Sequence, residues 1–502
     1  MFIPNEIIPP LMFAVKGIRD KRYDITILMR ALIKEEGRLL LDSSTNEPYF
    51  LRNSTGQVMA ISELNSDFIR FLGSINVPTE KAVLDRMRVY AAAHGTPVKI
   101  HRISWVNTDS ITIYVHSQGA AVFRIKDSGI DTIRNGDDGV YFLTEPGSSP
   151  FSLVDALPTN GDLLHELVIK PFAFAADAMS ADQGGFLVMT WFISLLLSGM
   201  LPVSPVLALI GPANSGKTTL LRLFSELLFG SQMPVQRAPA DKKTLDGILG
   251  RRSLMCLDDL KEWSGWLDER LESIARREII HIKRGQQYRE LRLDCSLAIT
   301  TRQLPDDSLQ SINRILPAVL SRPEKMVPER AMIDAVRKNR DIIMTQIIER
   351  LQRLLISIGS SAPGYEGSYA AADFADVAVR IAKTFGFDQQ AADALERLSS
   401  LYDTVLPAEQ NSELIRLWVG IDGNDGRQVK STELHKELEE IAKDKKISFV
   451  MSQRSFAHWL SSSLNRLRQL FSIEQVAARS RQMFYVIAQK PDVSATMTSG
   501  DV

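Results

Sequence analysis

The chain has 502 residues, 45% hydrophobic and 24% charged, with Lys+Arg 59 against Asp+Glu 60 and a formal net charge of -1. That length holds about three domains, and so average a composition excludes wholesale disorder, collagen-like repeats and a continuous coiled coil. The charge balance excludes a histone-like polycation but leaves room for a local basic surface, and two cysteines rule out a disulfide framework and suit a reducing compartment.

Residues 1–150 read as an N-terminal mixed α/β accessory domain. The start, Met1-Phe2-Ile3-Pro4-Asn5-Glu6, lacks the basic opening and clean apolar core of a secretory signal. Apolar spacing predicts helices over Ile25–Glu36 and Thr79–His94. Two β-rich runs, Ile111–Val115 and Ala121–Ile125, are joined by His116-Ser117-Gln118-Gly119-Ala120 as in a hairpin. Val140–Leu143 is a third strand, and Glu145–Pro150 reads as a linker. Residues 151–202 form a helical collar or linker, with two helices over 160–200. The apolar run Phe186–Leu201 has 16 residues before Pro202, fewer than the roughly 20 of a bilayer span. It predicts a buried helix in a cytoplasmic protein without a membrane partner.

From Val203 strand–loop–helix alternation announces a parallel sheet. Gly211-Pro212-Ala213-Asn214-Ser215-Gly216-Lys217-Thr218 is a full GxxxxGK[ST] match, preceded by the apolar run Val206–Ile210 and followed through Thr219 by Leu220-Leu221-Arg222-Leu223-Phe224. Glycines let such a loop wrap a phosphate with backbone N–H groups, at a helix N-terminus that favours the anion. Lys217 is then expected on the β/γ-phosphates of ATP and Thr218 on Mg²⁺. Forty-one positions after Lys217, Ser253-Leu254-Met255-Cys256-Leu257-Asp258-Asp259 is an apolar strand ending in two carboxylates. Asp258 is expected beside Mg²⁺, and Asp259 to orient or deprotonate the attacking water. A further strand, Ser296-Leu297-Ala298-Ile299, ends in Thr300-Thr301-Arg302, polar groups that can meet the γ-phosphate; Thr301 is the favoured one and Arg302 its rival. Cys256 and Cys295, in or beside these strands, read as inert buried thiols, with no zinc-ligand cluster anywhere.

The order of these pieces resembles the superfamily III helicases of the AAA+ class, the replicative helicases and primase-linked ATPases of viruses, phages and plasmids. The resemblance covers about residues 200–325 and includes two further stretches. Ile279-Ile280-His281-Ile282-Lys283-Arg284-Gly285-Gln286-Gln287-Tyr288-Arg289 stands where the family has a pore hairpin that holds single-stranded DNA. Ser311-Ile312-Asn313-Arg314-Ile315-Leu316 stands where it has an arginine reaching a neighbour's nucleotide. Arg314 is favoured for that role over Arg322, and a finger in trans implies a homo-oligomer, in the family a hexameric ring. The basic stretch has a case of its own. From Arg270 to Arg292 seven basic residues face three acidic ones, and Lys283, Arg284 and Arg289 with the stacking aromatic Tyr288 suit single-stranded DNA. Arg302 replaces the usual Asn of the third motif, and Asp-Asp is shorter than the common Asp-Glu pair. No primase domain is evident.

Residues 331–422 read as helical, interrupted at Gly359–Gly367 and closed by Gly423-Asn424-Asp425-Gly426. Residues 427–490 carry twelve Lys+Arg against six Asp+Glu. A helix from Ser431, a second over Phe456–Phe471 and an alternating wing over Ala478–Ile487 predict a winged helix-turn-helix, with Arg466, Arg479 and Arg481 toward the phosphates of duplex DNA. Residues 491–502 read as a disordered tail.

The expected fold is therefore α/β: a P-loop AAA+-like parallel-sheet ATPase core over 203–330, an N-terminal mixed α/β domain, and a C-terminal helical plus winged-helix region. The expected activity is an ATP-dependent, Mg²⁺-dependent ring helicase or translocase on single-stranded DNA in replication of a mobile element. The alternative is an ATP-switched DNA-binding assembly platform, a loader or a sensor of foreign DNA, without unwinding.

Overall fold

The computed structural model describes residues 25–302 and 314–489 apart from 156, 158–160, 177–178, 198, 231–234, 250–251, 261–262, 264, 285–286, 294, 359–364, 366–370, 405–409, 446–452, 454–455, 458–459, 461–466, 469–470 and 478–482; the side chains of 283–289, 358, 388, 399–404, 410–413, 477 and 483 are also outside the description. The chain divides into two compact units, one of residues 1–303 and 313–398 and the other of residues 304–312 and 399–502.

In the first unit the helix Ile25–Glu35 and the helix Lys81–His94 form where apolar spacing predicts them. With Ser66–Ser74 they bury Leu28, Met29, Phe68, Phe71, Leu84 and Met87 against a sheet in the strand order 58–60, 48–52, 37–42, 96–98. Asn65 caps Ser66–Ser74, accepting from Asp67 N and Phe68 N at 3.1 and 2.9 Å, which satisfies two orphan helix donors.

The predicted hairpin is present as Thr112–His116 paired with Ala121–Lys126. Its next partner is Gly129–Arg134, a strand that the apolar pattern did not mark, and the third strand expected within Val140–Leu143 is Tyr141–Phe142. Tyr141–Phe142 instead pairs in parallel with Ile100–His101, because the tight turn at Asp127-Ser128 lets the chain fold straight back onto its predecessor.

Glu145–Pro150 is no free linker. Glu145 is fully buried and its carboxylate accepts from Ser253 N and Ser253 Oγ, while Ser149 N donates to Phe229 O at 2.7 Å. Pro, Gly and Ser exclude regular structure there without excluding packing. Arg340 stitches the same segment to a helix end: its guanidinium donates to Leu227 O, Leu228 O, Ser149 O and Pro150 O at 2.8–3.2 Å. A cation at a helix C-terminus opposes the dipole there, and burial pulls this arginine down to about 10. Arg340→Ala should cost about 2–4 kcal/mol of stability, since the carbonyls lose charged donors while buried. A denaturant melt reads this, and a loss below about 0.5 kcal/mol would remove the stitch from the account.

Between 160 and 200 the prediction of two helices is half met. The first is one π-helical turn, His165–Ile169, and the second is Ala181–Ser194, opened by a Ser180/Gln183 capping box and extended by the 3-10 turn Leu195–Leu197. The apolar run is interior: Phe186 through Leu197 are all buried. No helix among the described residues is long and apolar enough to cross a membrane.

Five parallel strands follow, in the spatial order Gln236–Arg237, Leu254–Leu260, Ser296–Thr301, Val206–Ile210, Ile315–Val319. Val206–Ile210 is buried throughout, as a central strand covered on both faces must be. The helix Lys217–Phe229 lies against the 30-residue helix Glu329–Ile358, joined to it by Arg337 on the buried Glu226 at 2.8 and 3.1 Å.

In the second unit Ser431–Lys445 is helical as predicted. Phe471, expected to end a helix, instead opens the strand Phe471–Ala477, which pairs with Met483–Gln489 and, through it, with Arg427–Lys430. The apolar stripe still does what its spacing implies: Phe456, Leu460, Leu467 and Phe471 are all buried in one cluster with Trp418, Leu434 and Ile487. The predicted wing residues 478–482 are the connection between two strands and lie outside the described residues, as does 491–502.

Candidate functional site

The Gly211–Thr218 loop leaves the carboxyl end of the central strand and enters the helix Lys217–Phe229. Two of its glycines are steric necessities. Gly211 has φ +149 and a Cβ there would lie 2.1 Å from Leu320 O; Gly216 has φ +87 and a Cβ would lie 2.7 Å from the Phe172 ring. Only glycine tolerates both the backbone and the contact. Pro212, Ala213 and Asn214 are exposed, with Asn214 at φ 65, and Ser215 is buried. Lys217 Nζ donates to Gly211 O, Pro212 O and Ser215 Oγ at 2.8, 2.7 and 3.2 Å. Burial lowers its basicity, opposed by Asp258 and Asp259 and aided by Arg302.

The acidic strand brings its carboxylates to the same edge. Asp258 Oδ1 accepts from Thr218 Oγ1 at 2.9 Å and from Thr300 Oγ1 at 2.5 Å. Pairing between this strand and Ser296–Thr301 shifts register between Leu257 and Leu260, and Asp259 sits at φ 55. A bulge of that kind re-aims consecutive side chains, and a non-glycine residue in the left-handed region is strained. Asp259 N donates to Thr300 Oγ1 at 3.0 Å, and its carboxylate lies 3.9 Å from Arg237 Nη2.

Thr300, then, is the hydroxyl on the acids. Thr301 is buried and donates to Leu260 O at 3.0 Å, while Arg302 is exposed. Strand alternation puts neighbouring threonines on opposite faces, but which of them met Asp258 depended on a cross-strand register, Leu257 opposite Ile299, that sequence does not reveal. Thr300→Val keeps the shape and removes the hydroxyl. On the expectation of ATP hydrolysis from the loop motif, the rate should fall about tenfold with KM changed less than about threefold; equal activity in a steady-state assay would exclude a role for Thr300.

Thr218 Oγ and Asp258 Oδ1 are hard oxygen donors at one spot. No group of three or more His, Cys, Asp or Glu suited to a metal occurs among the described residues. Two protein oxygens and no dedicated cage fit a Mg²⁺ ion that takes its other ligands from water and phosphate. Cys256 lies behind this edge, its thiol pushed up to about 12 by burial, so it is an inert core residue.

The two arginines weighed for action in trans are at opposite ends of the sheet. Arg314 precedes Ile315, whose register partner is Val206, whereas the loop begins beyond Ile210, the partner of Val319. At about 3.3 Å per residue, Arg314 stands roughly 17 Å from its own loop's edge. Arg322 follows the strand and donates to Ala213 O of its own loop at 3.0 Å. Thr219 Oγ1 donates to Glu329 at 2.7 Å.

Ile279–Arg284 and Gln287–Arg292 form the expected antiparallel hairpin, with Lys283 opposite Tyr288, Arg284 opposite Gln287 and Ile282 opposite Arg289. The side chains of Lys283, Arg284, Tyr288 and Arg289 lie outside the described residues. Three other basic residues of the stretch are committed to structure: Arg270 to Asp246, Arg276 to Glu272 and Arg277 to Ser204. Arg466, Arg479 and Arg481 fall outside the described residues.

No protein-family model matches the chain, and no curated protein does. Among solved structures it is similar to the A form apo structure of the NrS-1 C-terminal region, at 12% identity over 91% of this chain and 98% of that one, with a TM-score of 0.38. It is also similar to SCCmec type IV Cch, described as an active helicase, at 12% identity over 90% and 92% with a TM-score of 0.40. JCV helicase shares 14% identity over 43% of this chain and 66% of that one, with a TM-score of 0.22. These likenesses are distant.

Proposed function

We propose that the protein is an ATPase whose hydrolysis drives an oligomeric DNA motor, a ring helicase or translocase on single-stranded DNA. One observation carries the chemistry: Lys217, Thr218, Asp258, Asp259 and Thr300 converge at the carboxyl edge of a parallel sheet, around a loop whose two glycines take left-handed backbone against Leu320 and Phe172. Backbone N–H groups of residues 213–218 and the start of the helix take the phosphates. Lys217 leaves its carbonyl partners for the β/γ oxygens. Thr218 and Asp258 would hold a Mg²⁺ ion, which would supply charge neutralisation for the transferred phosphoryl group. Asp259, released from Arg237, orients the attacking water and takes its proton.

Coupling to DNA rests on the hairpin whose strands carry Lys283, Arg284, Tyr288 and Arg289, and on Arg314, too far from its own loop to serve it. The winged-helix-like second unit, with its basic connection, is a further DNA contact. ATPase rates with and without single-stranded DNA, together with a strand-displacement assay, test this. Stimulation by DNA with displacement supports the motor. Ordered assembly on nucleotide with slow, unstimulated turnover and no displacement would replace it by the assembly platform.

A further inference from the structure

The helix after the glycine-rich loop opens with Lys217, Thr218 and Thr219, and its first backbone bond runs from Leu220 N to Gly216 O. The N–H groups of Lys217, Thr218 and Thr219 thus have no partner within the helix. With the helix dipole behind them, they draw anions to this end. A carboxylate of the chain itself also reaches it. Glu329, the first residue of the helix Glu329–Ile358, accepts from Thr219 Oγ1 at 2.7 Å and from Arg222 Nη1. Both donors belong to the helix that starts at the loop.

Two helix N-termini therefore share one carboxylate: its own helix favours negative charge in its first turn, and so does the helix Lys217–Phe229. Arg222 and Glu329 each keep 37% of their side-chain surface exposed, so burial does not lock the contact and water can replace it. A second tie between the same helices, Arg337 on the buried Glu226 at 2.8 and 3.1 Å, lies about two turns further along the long helix. Opening the Glu329 contact leaves that one in place.

We propose that Glu329 opposes the binding of phosphates in the loop, so that the Thr219–Glu329 bond and a bound polyphosphate each weaken the other. This rests on the reading of the loop as a phosphate site and adds a residue that sets its affinity. A polyphosphate brings negative charge toward a carboxylate already bonded within the first turn of the receiving helix, and like charges at that range repel. The opposition is reciprocal: Glu329 holds phosphate affinity down, and bound phosphate loosens Glu329 from Thr219 and frees the first turn of the long helix.

Glu329→Gln keeps the shape and an accepting oxygen and removes only the charge. Wild type, this variant and Glu349→Gln, the same change further along the same helix, are titrated calorimetrically with inorganic tripolyphosphate and Mg²⁺. Glu329→Gln should bind about fivefold more tightly than wild type and Glu349→Gln within about twofold of it. The gain should shrink in about 0.5 M salt. In wild type, tripolyphosphate should speed amide exchange over residues 329–334 and leave 337–346 unchanged. Equal or weaker binding by Glu329→Gln, or an equal gain from both variants, overturns the opposition, and exchange that does not quicken overturns the release. If neither wild type nor Glu329→Gln binds tripolyphosphate, the phosphate site itself falls and the proposal with it. Matching thermal melts establish that the variants are folded.

Discussion

Lys217→Ala should abolish hydrolysis, lowering the rate by at least about a hundredfold. The ammonium lies within the loop, held at 2.7–2.8 Å by Gly211 O and Pro212 O, and partial burial has already lowered its basicity. Its loss removes charge stabilisation where negative charge gathers on the β/γ bridge of the proposed nucleotide. Because Thr218, Asp258 and Thr300 remain bonded to one another, the fold should survive, and the melting temperature should stay within a few degrees. Turnover measured by phosphate release decides the matter: a rate within about threefold of wild type would mean the loop is structural.

Arg314→Ala carries the second large effect, about a thousandfold in rate, the scale of an arginine finger. The physical ground is distance: with about 17 Å between Arg314 and its own loop's edge, the proposed oligomer has Arg314 act directly in a neighbour's site. That geometry makes a distinctive forecast for mixtures. Arg314→Ala supplies intact loops without fingers, and Lys217→Ala supplies fingers without working loops. Mixing the two inactive proteins should restore activity at mixed seams, to roughly a quarter of wild type if subunits combine at random. Activity lost in the single variant and not recovered on mixing would assign Arg314 a role within its own subunit. Unchanged activity in Arg314→Ala would leave the seam without a finger.

The neighbouring arginine shows how position in a strand separates residues that look alike in a sequence. Arg314 and Arg322 flank the same five-residue strand, Ile315–Val319. Parallel pairing with Val206–Ile210 sends one to the amino edge and the other onto Ala213 of the loop. Counting residues could not distinguish them, and the direction of the strand does.

Local sequence was sufficient wherever a rule involves near neighbours. The glycine-rich loop, the apolar strand before it and the helix after it follow from backbone sterics and periodicity within about twenty residues. The helices at Ile25 and Lys81, the Thr112–Lys126 hairpin and the buried stripe Phe456–Leu460–Leu467–Phe471 were legible for the same reason. Tertiary structure alone decided matters in which distant segments compete for one place. The cross-strand register that pairs Leu257 with Ile299 brought Thr300, not Thr301, to Asp258, because both threonines suit a strand end and only that register tells them apart. Glu145 was buried on Ser253, 108 residues away, and Arg322 and Glu329 met Ala213 and Thr219 from more than a hundred positions downstream. Such contacts depend on which faces the packed sheet brings together, a property of the whole chain that no local window contains.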